Sequence, residues 1–148
     1  MPEAVVIAAY RPEDIEVGAC VSIEHRIEAA DIDAFARLTG DVSPLHMDAD
    51  FARSRGFRDR VAHGVLLAGF VSRLFGVHLP GRDCLLQSIT MKWLHPVCAG
   101  DTLRFSATVA QISAPARAMM AEVLVENTET GVAVARGKVQ AGFTGDEP

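Results

Sequence analysis

Residues 65–79 read "VLLAGFVSRLFGVHL", and the placement of this stretch decides the fold. It is apolar on nearly every face, interrupted only by Ser72, Arg73 and His78. Such a helix is too short to cross a bilayer and too hydrophobic all round for a surface, so the pattern predicts a central helix buried on most sides. Something must wrap it. Four strand-like runs follow: "CLLQSITMKWL" (84–94), "DTLRFSATVAQI" (101–112), "AMMAEVLVEN" (118–127) and "VAVARGKVQAGF" (132–143). Gly100-Asp101 and Thr130-Gly131 supply the tight connections expected between antiparallel neighbours. Upstream, "ACVSIEHRI" (19–27) alternates as a half-buried strand does. One strand, then helices, then four antiparallel strands predict an α+β protein in which a curled antiparallel sheet wraps the central buried helix. A sheet of about five strands leaves edges and a helix flank open, and a second copy is the usual cover, so at least a dimer is expected.

Between the first strand and the central helix, "EAADIDAFARLTG" (28–40) predicts a short helix capped by Asp31, with Ile32, Phe35 and Leu38 at helical spacing and Gly40 as its stop. Pro44 cannot continue a helix and biases Ser43 away from helical geometry, so residues 41–47 are expected to be irregular but stiff. Asp48 is then placed to cap a second short helix through about Ser54.

Composition limits the function. The 148 residues suit one domain spanning 1–148, and 49% apolar with 22% charged residues is a globular composition, not a disordered one. A net charge of −5 argues against a nucleic-acid binder, whose affinity comes mostly from neutralising phosphates. The amino-terminal apolar stretch carries Glu3 where a signal peptide needs basic charge, and it is too short to span, so a cytoplasmic protein without a membrane segment is expected. Cys20, Cys84 and Cys98 lie far apart with no CxxC pair, suggesting neither a disulfide framework nor a zinc site, and they read as buried small hydrophobes. "DADFARSRGFRD" from Asp48 fails as a calcium loop, because Ala52 and Arg53 stand where a ligand and the turn glycine belong.

The chemistry concentrates in "GDVSPLHMDADFARSRGFRDRVAHGVLLAG" (40–69). Asp41 and His46 are an acid and an imidazole on one stiffened loop, and such a pair can hold and activate a water molecule. The plainer alternative is a turn-capping aspartate beside a satisfied histidine. Gly64 lies at or just before the start of the buried helix, where backbone N–H groups lack intrahelical partners and a carbonyl can approach closely. It reads either as an oxyanion site or as a glycine that only permits a tight turn. His63 reads as a structural support whose ring bonds nearby backbone. Arg53, Arg55, Arg58 and Arg60 are candidates to grip the phosphates of coenzyme A or an acidic carrier protein, or else a solvated face paired with Asp50 and Asp59. Ser72 could reach back to support the Asp41/His46 pair, or bond its own helix carbonyl. A water-activating pair beside an oxyanion site suits an acyl thioester, and this chemistry needs no metal or organic cofactor.

In "DVSPLHMD" (41–48) and "AHGVLLAGFVSRLFGVHLPG" (62–81) the sequence resembles the MaoC-like, (R)-specific enoyl-CoA hydratases, over residues from about 18 to 143. "PVCAGDTL" (96–103) fits as well. The resemblance implies a single hot-dog fold and a hydro-lyase converting a trans-2-enoyl thioester to the (R)-3-hydroxyacyl thioester or back. It implies Asp41 and His46 as the acid/base pair, the Gly64 N–H as oxyanion donor and Ser72 as a support. Ser43 stands where the family usually has asparagine, so it braces the loop with one donor fewer. Trp93 and His95 fall where acyl-pocket or interface residues are expected. The same fold also serves thioesterases and non-catalytic subunits of heteromeric dehydratases, which stand as alternative readings.

Overall fold

The computed structural model describes residues 4–145. Five antiparallel strands form one sheet: β1 (Cys20–Arg26), β2 (Cys84–Trp93), β3 (Thr102–Ser113), β4 (Ala118–Asn127) and β5 (Ala133–Phe143), in the order β1-β3-β4-β5-β2. All five runs read from the sequence are strands. The hydrogen-bonded register runs, for example, from Ile23 to Phe105, Phe105 to Val125, Val125 to Ala135, and Ala135 to Trp93. Because side chains alternate faces along a strand, Leu103, Phe105, Ala107 and Val109 of β3 all point to one side. That side meets Val123 and Val125 of β4 and Val139 of β5 and forms the core.

The core closes on α4 (Gly64–Arg73), whose Leu67 and Val71 are buried together with Leu74 and Phe75 just beyond it. The sheet therefore wraps a central helix, as the apolar run at 65–79 predicts. Two details differ from that expectation. The helix is not uniform, since Leu74–His78 form a π-helical turn in which Leu79 N–H donates to the Leu74 carbonyl at 2.8 Å. Nor is it buried on most sides: Val65 is 66% exposed and Ser72 and Arg73 face outward.

Three more helices lie between β1 and α4: α1 (Ala29–Thr39), α2 (Pro44–Met47) and α3 (Ala49–Ser54). Helix α1 begins after Glu28, so Asp31 is its third residue and not its cap. From there Asp31 Oδ2 reaches back to accept the Glu28 N–H at 2.9 Å and also meets His25 Nε2 at 2.8 Å. Gly40 ends α1 in the left-handed region, with φ 79°, as a helix stop requires. Pro44 opens α2 instead of leaving an irregular loop, because its fixed φ and missing N–H cost nothing at a first helical position. Asp48 caps α3 as expected, with Oδ1 accepting the Phe51 N–H at 3.1 Å. Of the cysteines only Cys98 is buried; Cys84 is half-buried and Cys20 is exposed on the β1 edge, where its side chain points away from the core.

The two edges of the sheet are unlike. β1 alternates half-buried and exposed positions, whereas β2 is exposed along most of its length and carries Leu85 at 57% and Leu86 and Ile89 at 37% exposure. An apolar, unpaired edge of this kind is a pairing surface. No helix among the described residues is long and apolar enough to cross a membrane.

Candidate active site

Helix α2 brings His46 round to the segment just before α4. His46 Nδ1 lies 2.6 Å from the Val61 carbonyl oxygen. A carbonyl only accepts, so Nδ1 carries the proton and Nε2 of the neutral ring keeps its lone pair. Val61 is itself held on both sides: its N–H donates to the Leu45 carbonyl at 3.1 Å, and the next residue, Ala62, donates to the Val97 carbonyl at 2.7 Å. The loop at 96–101 is fixed in turn by Asp101, which is buried and accepts the Cys98 N–H at 3.0 Å and the Arg58 guanidinium at 2.7 Å.

His63, 2% exposed, immediately precedes α4. Its Nε2 donates to the Asp41 main-chain carbonyl at 3.0 Å, and its ring stacks on His46 with centroids 3.9 Å apart. The first of these is a ring-to-backbone bond of the kind expected of His63. Its Nδ1 is buried and unpartnered. Asp41 is exposed, with Oδ1 3.4 Å from the Ser43 N–H, so Ser43 contacts the aspartate through its main chain. One donor atom from each of Asp41, His46 and His63 falls within 4.8 Å of the others. Such a group of donor atoms, with Asp41 exposed to solvent, can hold a water molecule or a divalent cation.

Gly64 is the first residue of α4, so its N–H has no acceptor within the helix. It lines a cleft of about 450 Å³ together with His46, Leu67, Trp93, His95 and Val97. The fit is close: a Cβ there would lie 2.9 Å from Trp93 Cε2 and 3.1 Å from Trp93 Nε1, so a side chain at this position would displace the indole. The sequence placed Trp93 and His95 near a pocket, and both line this one.

The other candidates lie elsewhere. Ser72 sits two turns further along α4, about 12 Å from Gly64 at the helical rise, and is exposed. The four arginines do not line the cleft. Arg53 is near Asp50 at 3.5 Å and Asp59 at 3.8 Å, the partners named for a solvated face. Arg55 lies over the Phe51 ring at 4.6 Å, and Arg58 is engaged by Asp101. Arg60, only 14% exposed, donates through Nε to the His46 carbonyl and through Nη2 to Asp33 Oδ1, both at 2.5 Å. It clamps the helix that carries His46, a task the local sequence does not reveal because Asp33 lies 27 residues away.

A family model for the MaoC-like domain matches residues 13–133. The chain belongs to the MaoC-like domain family. The MaoC-like domain is 39% identical over 97 residues to an (R)-specific enoyl-CoA hydratase of Rhodospirillum rubrum, a match covering 66% of this chain and 67% of that protein. It is 34% identical over 100 residues to the (R)-specific enoyl-CoA hydratase of Aeromonas caviae, covering 68% and 75%. Against a 3-hydroxybutyryl-CoA dehydratase of Methylorubrum extorquens it is 36% identical over 100 residues, covering 68% of this chain and 64% of that protein. Among solved structures, the (R)-hydratase from A. caviae involved in PHA biosynthesis superposes with a TM-score of 0.84 at 27% identity, covering 89% of this chain and 99% of that one. The MaoC-like domain thus has the hot-dog architecture expected for it.

Proposed function

We propose that this protein is a hydro-lyase that adds water to a trans-2-enoyl-CoA to give the (R)-3-hydroxyacyl-CoA, and catalyses the reverse dehydration. The observation that carries this reading is the convergence of the Asp41 carboxylate with the rings of His46 and His63, His46 lining the same cleft as Gly64. The names of the relatives, (R)-specific enoyl-CoA hydratase and 3-hydroxybutyryl-CoA dehydratase, support it.

In this mechanism the thioester carbonyl approaches the Gly64 N–H while Asp41 and His46 hold one water. The pair takes a proton from the water as its oxygen bonds to the β-carbon. Negative charge moves through the double bond to the carbonyl oxygen, where the Gly64 N–H and the positive end of α4 stabilise the enolate. Returning the proton to the α-carbon completes the addition of one water and regenerates the pair. Because His46 Nδ1 donates to the Val61 carbonyl, Nε2 is the ring atom available to the water. His63 positions Asp41 through its backbone bond, and Ser43 braces the carboxylate through its N–H.

The chain acts as one domain, and its functional unit is a homodimer in which two copies join their β2 edges, covering Leu85, Leu86 and the outward side of α4. The deciding experiment incubates purified protein with trans-2-enoyl-CoAs of graded chain length. It follows loss of the conjugated-thioester absorbance and assigns product configuration on a chiral column. The (R)-3-hydroxyacyl-CoA is expected; free thiol release from a saturated acyl-CoA without hydration would identify a thioesterase instead.

A further inference from the structure

Trp93 is the single tryptophan of the chain, and it stands at the end of β2 facing the helix. It pairs in register with Ala135, which is fully buried, so both side chains point to the inner face of the sheet. Its indole lies over Gly64: the position a Cβ would take on that glycine is 3.1 Å from Nε1, 2.9 Å from Cε2 and 3.3 Å from Cδ2. In a helix the Cα–Cβ bond tilts toward the amino terminus, the direction in which the first N–H groups also point. The indole Nε1 therefore lies close to the start of α4, where the Gly64 N–H is.

The distances allow both to serve one oxygen. Standard bond geometry puts the Gly64 nitrogen about 2.5 Å from its Cβ position, so the two nitrogens are at most about 5.6 Å apart given the 3.1 Å to Nε1. Two N–H donors each about 2.9 Å from a shared acceptor can stand up to about 5.8 Å apart. The donor is also free: among the described residues the Trp93 indole makes no hydrogen bond, and Trp93 is 44% exposed and lines the cleft. We infer that Trp93 is a second oxyanion donor, its indole N–H joining the Gly64 N–H on the carbonyl oxygen of the acyl thioester. The ring then does two things at once. It closes the cleft over the helix start, which excludes water from the carbonyl, and it supplies a neutral donor that strengthens as charge develops on the oxygen.

This inference rests on the hydration reading, and the test separates the two. With one tryptophan in the chain, expression in a tryptophan auxotroph fed 3-benzothienylalanine exchanges a single N–H for sulfur and keeps the bicyclic shape. Trp93→Phe is made in parallel as a smaller ring without the donor. Both proteins are compared with wild type in thermal melting and in enoyl-CoA hydration. Loss of one oxyanion donor elsewhere costs about 10²–10³ in kcat; with the Gly64 N–H still present, kcat is expected to fall at least about tenfold in the benzothienyl protein, with KM within about twofold and an unchanged melt. The Phe variant is expected to lose at least as much. A benzothienyl protein with wild-type kcat overturns the inference, and it does so even where Trp93→Phe is impaired, because the ring's packing alone would then matter. Wild-type protein that hydrates no enoyl-CoA overturns the proposed function, and the inference with it.

Discussion

Replacing Arg60 by alanine distinguishes a clamp from a substrate grip. The guanidinium is 14% exposed and gives charge-assisted hydrogen bonds to the His46 carbonyl and to Asp33. A bond from a charged donor to a carbonyl contributes about 1.5–3 kcal/mol. The Asp33 partner is 57% exposed, so solvent screening leaves that ion pair about 0–1 kcal/mol. Together the loss is about 1.5–4 kcal/mol, which for a chain of this size lowers Tm by about 4–12 °C. The larger effect is on rate. Without the clamp, α2 shifts against Val61, and a misplacement of about 1 Å at a reacting group costs about 10²-fold. Arg60→Ala should therefore lower kcat at least about tenfold while KM changes less than about twofold, in steady-state hydration assays at a temperature where the variant is folded. Arg60→Lys should recover little, since one ammonium cannot hold both partners. A raised KM with kcat intact would refute the clamp and restore the phosphate grip.

Asp31 gives a pH signature. Burial pushes its pKa up, but the Glu28 N–H and the His25 ring outweigh it, and the net result is a pKa below the ordinary 3.8. A lowered carboxylate pKa adds stability that is complete above the ordinary value and is lost as pH falls through the lowered one. Asp31→Asn should melt about 3 °C below wild type at neutral pH, for the loss of about 1 kcal/mol of helix-start bonding. The gap should close as pH drops below about 3.8. Multi-angle light scattering should give a dimer mass, and a charge placed at Leu85, 57% exposed on β2, should shift it toward monomer; a monodisperse wild-type monomer would contradict the pairing of β2 edges. Gly64→Ala should hardly move Tm, because the half-exposed Trp93 can swing aside, yet should lower kcat/KM at least about 100-fold; retained activity would remove Gly64 from the site.

Much of this arrangement is legible in the sequence because it rests on local rules. Alternation at 101–112 and 118–127 follows from one face meeting a core, and the apolar run at 65–79 has nowhere to go but inside. Asp48 and Gly40 signal helix ends by chemistry that operates within four residues. Asp41, Pro44 and His46 are readable together because they fall within six consecutive residues. What escaped depends on partners distant in sequence. The pairing of Arg58 with Asp101 spans 43 residues and that of Arg60 with Asp33 spans 27, so four arginines in eight positions read as one patch when each serves a different contact. Asp31 was misplaced by three residues because an acidic residue suits the first turn as well as the cap. The π-helical turn at Leu74–His78 carries no signal that separates it from a regular helix of the same composition. Ser72 is read from its spacing to Gly64 and from the resemblance, and it lies exposed two turns along α4.

The measurement that tests the central claim most directly is hydration of the best enoyl-CoA by Asp41→Asn, His46→Gln and the double variant, each checked for wild-type folding by circular dichroism. General acid/base assistance is worth about 10²–10⁴-fold, and groups that act on one water as a unit are strongly non-additive. The account predicts a fall in kcat of at least about 100-fold in each single variant, a double variant little worse than either, and KM much less affected. Folded Asp41→Asn protein that hydrates the substrate at near wild-type rate would contradict it, leaving Asp41 and His46 as a brace for the loop and not the pair that moves the proton.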